Sequence, residues 1–328
     1  MKLNEFIAKY QMLGPDADKE LWLGARRSGI SGTDIAALSG LNPYRRIYDV
    51  FLSKLGLMDD NIDNPYMRRG RRMEPILVED YEDMTGYRTA RIGLLRHPEH
   101  EIVLGSPDRL VVDENGDILH GLEVKTANAR QAPFWGPPET DIIPDQYLLQ
   151  CQWYMLASDI KRWDVIVSIG GELPQIYHIE HNEELCEKLL DIAEQFWNNH
   201  VITKEPPSVD ESESAAKMLA KLFHKADLDL IEAGQEEGNL ALALVVKKEE
   251  LKKLEEEMRL LENKLKEKIG DHEGLKGDGW LITWKKTRDR QTVKYDELIK
   301  ELQVPDELIK KYTATVEGHR VFRVTTKQ

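Results

Sequence analysis

The chain has 328 residues, long enough for a full-sized core and a small second domain, and its 41% hydrophobic and 32% charged content suits a globular protein in water. Two cysteines, Cys151 and Cys186, exclude a disulfide framework and a four-cysteine metal or iron–sulfur site, and the longest apolar run, LALALVV at 240–246, is too short to span a bilayer. A net charge of −14 argues against a protein that coats nucleic acid indiscriminately, but steering depends on where charge sits, so a local basic channel stays open.

The N-terminal stretch MKLNEFIAKYQMLG lacks the apolar region and cleavage site of a signal peptide, so a cytoplasmic protein is expected. Apolar periodicity and capping residues predict helices at 16–27, 32–39 (opened by Ser31 or Thr33), 46–56 and 75–85. Basic clusters at 26–27, 45–46 and 68–72 lie in or beside this helical part. Strands are expected at 101–104, 108–113 and 117–125, where Asn115-Gly116 signals a two-residue type I′ hairpin. A helix at 144–158, strands at 163–169 and 175–180, and a helix at 182–199 follow. This order predicts an α+β fold with a mixed central sheet flanked by helices, not a βαβαβ array.

TKEPPSVDESES at 203–214 reads as a linker by composition, dividing the chain into domains 1–205 and 206–328. Beyond it, Leu244 is followed seven residues later by Leu251, and Leu251, Leu254, Met258, Leu261 and Leu265 step by alternating threes and fours, which predicts a coiled-coil helix of roughly three heptads. GWLITWKK and YTATVEGHRVFRVT are expected as short strands around a helical DELIKEL, with a basic stretch at 285–294.

The hairpin carries the chemistry. A turn centred between Asn115 and Gly116 sets Asp108 opposite Glu123, and Lys125, two residues further on, falls on the same side of the sheet. Leu122 and Val124 would then face the core and leave Glu123 and Lys125 on an open face. Carboxylates in contact disfavour joint ionisation, and a hard divalent cation such as Mg²⁺ relieves them while keeping waters and accepting a phosphate oxygen. Lys125 beside them would orient or deprotonate a water, or stabilise charge on a phosphate, so these are the parts of phosphodiester hydrolysis. The helix PDQYLLQCQWYM adds Gln146, Gln150 and Trp153 on one stripe. The histidines of HPEH at 97–100 and YHIEH at 177–181 sit in a loop and at a strand end without a cysteine nearby, and are not read as a zinc site.

Gly-Ser-Pro-Asp, then Leu-Glu-Val-Lys, then a helix with Gln-x-Gln resembles the PD-(D/E)xK nuclease core, specifically the YqaJ-type viral recombinases related to phage lambda exonuclease. WLGARRSGISGTDIAALSGLNPY resembles the family's N-terminal signature, and RRGRRMEPILVEDYEDMTG its Gly-x-x-x-Glu helix with Glu74 in the acidic place. The four motifs occur in the family's order over roughly residues 20 to 200. The resemblance implies a metal-dependent 5′→3′ exonuclease of phage or prophage recombination that acts on double-stranded DNA ends in a bacterial host. Asp108, Glu123 and the Val124 carbonyl would hold Mg²⁺ (or Mn²⁺), with Glu74 approaching from its helix. Lys125 would activate the water, and Gln150 would position that water or the scissile phosphate.

In the same resemblance Arg26 and Thr33, with Ser31 beside them, form a pocket for the 5′-phosphate, and Arg27 is an alternative to Arg26. Thr33 stands where many relatives carry Ser. Gln146 and Gln152 would contact the DNA. The resemblance further implies a ring-like homo-trimer, a single-strand annealing protein as partner, and no membrane attachment. Two other readings share the residues: a PD-(D/E)xK endonuclease of restriction or junction-resolving type, and a catalytically inert adaptor that binds DNA or a partner.

Overall fold

The computed structural model describes residues 1–58, 64–224, 230–288, 292 and 294–313. It divides into two compact units, Met1–Leu222 and Phe223–Gln328. The first runs α1 (Leu3–Tyr10), β1 (Gln11–Leu13), α2 (Lys19–Arg26), α3 (Gly32–Leu38), α4 (Ile47–Lys54), α5 (Pro65–Thr85), β2 (Arg88–Ala90), β3 (Leu94–Arg96), β4 (Leu104–Gly105), β5 (Arg109–Val112) and β6 (Ile118–Ala127). A 3-10 turn (Ala129–Phe134) leads to α6 (Asp145–Ser158), β7 (Arg162–Ile169), β8 (Gln175–Glu180), α7 (Glu183–Phe196) and α8 (Glu213–Leu222).

Five strands pair in the order β2-β5-β6-β7-β8, with β6 and β7 parallel and the other neighbours antiparallel. This is the mixed sheet that the element order implies. On one face α5 presents Leu77 and Tyr81 to Val111, Leu122 and Ile166. On the other face α6 packs Trp153 and Met155 into the main core, with α3 and α7 against its outer side. Strands β1, β3 and β4 form a second, smaller sheet.

Four features depart from the sequence reading. Helix α5 starts at Pro65, not at 75: Asn64 caps it by accepting the Met67 N–H at 2.9 Å, Pro65 occupies the first turn, and Pro75 lies inside. One missing N–H does not end a helix whose following turns are anchored on the sheet by Leu77 and Tyr81. The short elements α1, β1, β2 and β3 went unread; α1 is held by Phe6 and Tyr10, both buried and stacked at 4.7 Å.

The hairpin turn is also different. Gly116 has φ +76, whereas Asn115 is not in the left-handed region, and the Gly116 N–H bonds the Asp113 carbonyl at 3.0 Å. That is a type I turn followed by a left-handed glycine. Asp113 causes it, because its carboxylate accepts the N–H groups of Asn115 and Asp117, both at 2.8 Å. The extra residue is absorbed at Leu119, since Val112 pairs with Ile118 but Val111 pairs with His120. The register is thereby restored to Arg109 opposite Leu122. Last, the face bearing Glu123 and Lys125 is covered by α6, and Glu123 is only 3% exposed.

In the second unit, α9 (Gln235–Ile269) is a single 35-residue helix over the heptad segment. A hairpin of β9 (Gly274–Gly277) and β10 (Trp280–Thr283) follows, then α10 (Tyr295–Glu301) and α11 (Asp306–Lys311). Most of the strand expected in YTATVEGHRVFRVT, and part of the basic stretch at 285–294, lie outside the described residues. No helix among the described residues is long and apolar enough to cross a membrane.

Candidate active site

Asp108 sits just before β5, behind Pro107. Its Oδ2 accepts the Val124 N–H at 2.8 Å, so the carboxylate is tied to the backbone of β6 between Glu123 and Lys125. Glu123 and Lys125, two apart on β6, form an ion pair in which Glu123 is buried and Lys125 half-buried. Gln150 of α6 closes the group: its Nε2 donates to Glu123 Oε1 at 2.7 Å, and its Oε1 accepts from Lys125 Nζ at 3.1 Å. The Gln150 amide also donates to the Tyr154 hydroxyl at 2.9 Å, and the Lys125 ammonium lies 4.9 Å from the Tyr147 ring centroid.

Burial pushes the Asp108 carboxyl well above its ordinary range, the Glu123 charge adds to this, and Lys125 only partly opposes it. Glu123 is raised for the same first reason, against the pull of Lys125. Burial works against the charge of Lys125, but Glu123 and Asp108 outweigh it and hold the ammonium firmly protonated. Glu123 Oε2 is buried with no hydrogen-bond partner. Two crowded carboxylates, one of them with an unsatisfied oxygen, fit the donor set that a hard divalent cation takes. Among the described residues no three acidic, His or Cys side chains converge as a complete ligand set. Mg²⁺ does not require one, because one or two carboxylates plus waters and phosphate suffice.

Glu74 reaches this region from α5. Its Oε1 accepts from Arg109 Nη1 at 2.8 Å, and its charge helps raise both Asp108 and Glu123. A cavity of about 190 Å³ opens here, lined by Trp22, Glu74, Ser106, Asp108 and Arg109 among others.

A second cluster lies at the start of α3. Arg26 Nη2 donates to Ser31 Oγ at 2.7 Å and to Thr33 Oγ1 at 3.1 Å, and the guanidinium lies 4.7 Å from the Trp22 ring centroid. Arg27 turns the other way, toward Gly56, so of the doublet it is Arg26 that joins the hydroxyls. Beneath them Asp34 is fully buried, 2.7 Å from Lys54 Nζ and 3.3 Å from Arg45 Nη2. Burial opposes its charge, but Lys54, Arg45 and Arg26 outweigh burial and hold the carboxyl far below its usual range. Three cations share this one carboxylate. Arg45 Nε and Nη2 are buried without a hydrogen-bond partner.

The clusters meet at Gly32. A Cβ there would come within 2.8 Å of both Gln150 Cγ and Tyr154 Cε1, so the start of α3 rests directly on the α6 residues that hold Lys125. Trp22 provides a second link, lining the Asp108 cavity while stacking with Arg26.

Asp108, Glu123, Lys125 and Gln150 are thus brought together, as are Arg26, Ser31 and Thr33. Gln146 lies one helical turn before Gln150 and is half-buried. Gln152 is not part of the cluster: its amide donates to the Glu180 carbonyl at 2.8 Å and accepts the Asn182 N–H at 2.9 Å, joining β8 to α7. Trp153 also serves the scaffold, donating to the Ile30 and Leu104 carbonyls. Sequence reasoning assigned no role to Tyr147, Tyr154 or Lys54, and it had Trp22 and Asp34 only as parts of the quoted N-terminal signature and Arg45 only as part of a basic cluster. Trp22 and Tyr154 had a readable signal, each being four positions from Arg26 or Gln150 on its helix. The pairing of Asp34 with Arg45 and Lys54, which lie on separate segments, had none.

Residues 21–161 match the family described as the YqaJ-like viral recombinase domain. The chain is 29% identical over 295 residues to the uncharacterized protein YqaJ of Bacillus subtilis (strain 168), covering 87% of each. It is 26% identical over 151 residues to the uncharacterized protein R354 of Acanthamoeba polyphaga mimivirus, covering 44% of this chain and 28% of that one. Among solved structures it is similar to the alkaline exonuclease LHK-Exo from Laribacter hongkongensis, with 20% identity, a TM-score of 0.47, and coverage of 57% of this chain and 94% of that one. For LHK-Exo in complex with dAMP the identity is 21% and the TM-score 0.48, with the same coverage. Over residues 21–161 the chain is thus similar to the YqaJ-like viral recombinase domain family, and that span holds Asp108 ahead of β5, Glu123 and Lys125 on β6, and helices on both sheet faces.

Proposed function

We propose that the protein is a divalent-metal-dependent deoxyribonuclease that degrades the 5′ strand of linear duplex DNA and leaves a 3′ single-stranded tail for strand annealing. The observation that carries this reading is the contact at Gly32, which sets the cationic Arg26–Ser31–Thr33 pocket against the Gln150 side of the carboxylate cluster. A guanidinium offers a planar two-point contact to a terminal phosphate, and capturing that phosphate beside the cutting centre biases movement along one strand.

Asp108, Glu123 and the Val124 carbonyl would hold Mg²⁺ or Mn²⁺, which when bound polarises the scissile phosphate and eases ionisation of a water. Lys125, kept protonated by its carboxylate neighbours, stabilises negative charge on the phosphate under attack. Gln150 fixes Lys125 and Glu123 relative to each other, and Glu74 adds negative charge from α5. Contacts to the backbone carry affinity but no base code, so sequence preference is weak. The matched family's description as a viral recombinase domain supports a role in phage or prophage recombination, in which the 3′ tail would pass to an annealing protein.

The test is digestion of linear duplex DNA with Mg²⁺, labelled separately at each end, comparing 5′-phosphoryl with 5′-hydroxyl termini. Progressive 5′ loss that favours the phosphoryl end, disappears in Lys125→Ala with DNA binding retained, and loses its end preference in Arg26→Ala is the expected result. Cutting of closed circles would move the assignment to an endonuclease, and tight binding without cutting to an inert adaptor.

A further inference from the structure

We propose that α9 is one half of an antiparallel two-stranded coiled coil whose other half is α9 of a second copy of this chain. The proposal is independent of the nuclease reading. Within its own unit no described element packs along α9, and its stripe is open: Leu251, Leu254, Met258 and Leu261 are 56%, 54%, 54% and 61% exposed. An isolated helix with this much unburied leucine is held by packing against a partner, not by propensity. The three-four stepping of the stripe is the seam that a second helix of the same spacing fills.

The flanking charges choose the partner and its direction. With Leu244, Leu251, Met258 and Leu265 at the a positions, the e positions carry Lys248, Glu255 and Glu262, and the g positions Glu250, Glu257 and Lys264. In a parallel in-register pair, g of one helix meets e of the next heptad on the other, so Glu250 faces Glu255 and Glu257 faces Glu262. Every charged contact is then repulsive. In an antiparallel pair e meets e and g meets g. Setting Leu251 against Leu261, and Leu254 against Met258, of the second copy brings Lys248 to Glu262 and Glu250 to Lys264 of that copy, each occurring twice by symmetry. Only Glu255 and Glu257 then meet their own equivalents, beside the two-fold axis. The four central layers are wholly apolar, and Lys247 and Lys268 fall in the outer layers, where their stems cover leucine and their ammonium groups reach water.

Cysteine cross-linking of the full chain reads the arrangement, since the two native cysteines are buried. Glu257→Cys places a thiol beside the two-fold axis and should give a covalent dimer with a short bismaleimide. Leu251→Cys should not, because in this register its equivalents lie about 15 Å apart along the axis. Linking at position 251, or at neither position, overturns the proposal. Charge reversal supplies a second readout: Glu250→Lys and Lys264→Glu should each lower the cross-linked yield at position 257 several-fold, and the double reversal should restore it. A parallel pair would gain from Glu250→Lys, and a helix with no second-copy partner would respond to neither.

Discussion

Replacing Asp34 with Asn removes the one carboxylate that, among the described residues, faces three buried or half-buried cations. Lys54 is the critical neighbour: its side chain is 2% exposed, its ammonium lies 2.7 Å from Asp34, and its other bond, 2.9 Å to the Arg26 carbonyl, carries no charge to neutralise it. Burial already pulls Lys54 below its ordinary pKa against the support of Asp34. Breaking a buried ion pair by removing one partner leaves an uncompensated charge and costs about 3–5 kcal/mol. Urea unfolding of Asp34→Asn, followed by circular dichroism, should show a loss of that order. Removing the stranded charge as well, in Asp34→Asn/Lys54→Met, should recover most of it.

The pH dependence has a fixed sign. The folded pKa of Asp34 is depressed, so its stabilisation is present above the unfolded value of about 3.9 and is lost as pH falls through the acid range below it. The stability gap between the parent and Asp34→Asn should therefore be constant near neutrality and shrink below about pH 4. A single variant within about 1 kcal/mol of the parent, or a double variant no more stable than the single, would refute this account of the pocket.

Three further perturbations follow from the geometry. Gly32→Ala forces a methyl group to within 2.8 Å of Gln150 and Tyr154; overpacking of this kind costs about 1–3 kcal/mol, and thermal melts together with the digestion assay should both register it. His178 bridges Asp164 and Glu139, each at 2.8 Å; burial opposes its protonation, but these bonds outweigh burial and raise its pKa. Its stabilising effect, roughly 1 kcal/mol, is full below the unfolded imidazole value of about 6.5 and is lost as pH rises through the folded one, so His178→Gln should destabilise at pH 5.5 and matter little at pH 9. Mg²⁺ at a hundredfold excess over its dissociation constant should stabilise the parent by about 2.7 kcal/mol, read as a melting shift against a chelator, and an equal shift in Glu123→Gln would count against Glu123 as a ligand.

What the sequence disclosed followed local rules. The strand pair β5 and β6 could be placed because Asn-Gly and alternating apolar residues fix a hairpin within a short span, and even the misread turn type preserved the register because the bulge at Leu119 compensated for it. The mixed sheet followed from element order. Burial of Glu123 and Lys125 was not legible, since whether the second face of a sheet is open depends on where α6 lands, and that is a long-range packing outcome. Pro75 misled for a related reason: a local breaker was overridden by the anchoring of Leu77 and Tyr81 on the sheet. The Asp34–Lys54 pair joins α3 to α4, and no spacing rule reaches across that turn.

The two clusters make most sense as complements. Around Asp34 the chain buries more positive than negative charge, and around Asp108 and Glu123 it buries more negative than positive, with Gly32 holding the two side by side. Left to the protein alone, each imbalance is costly, and merging the clusters into one neutral network would be cheaper than keeping them apart. Keeping them separate is reasonable if each awaits a ligand of opposite sign: a phosphate for the guanidinium and hydroxyl groups, a divalent cation for the carboxylates. On the proposed function a DNA end would supply the phosphate, and its next phosphodiester links would share the cation that the carboxylates would hold. On the proposed reading, the charge excess that weakens the free protein at each pocket is what selects a 5′-phosphorylated strand with its metal over either ion alone.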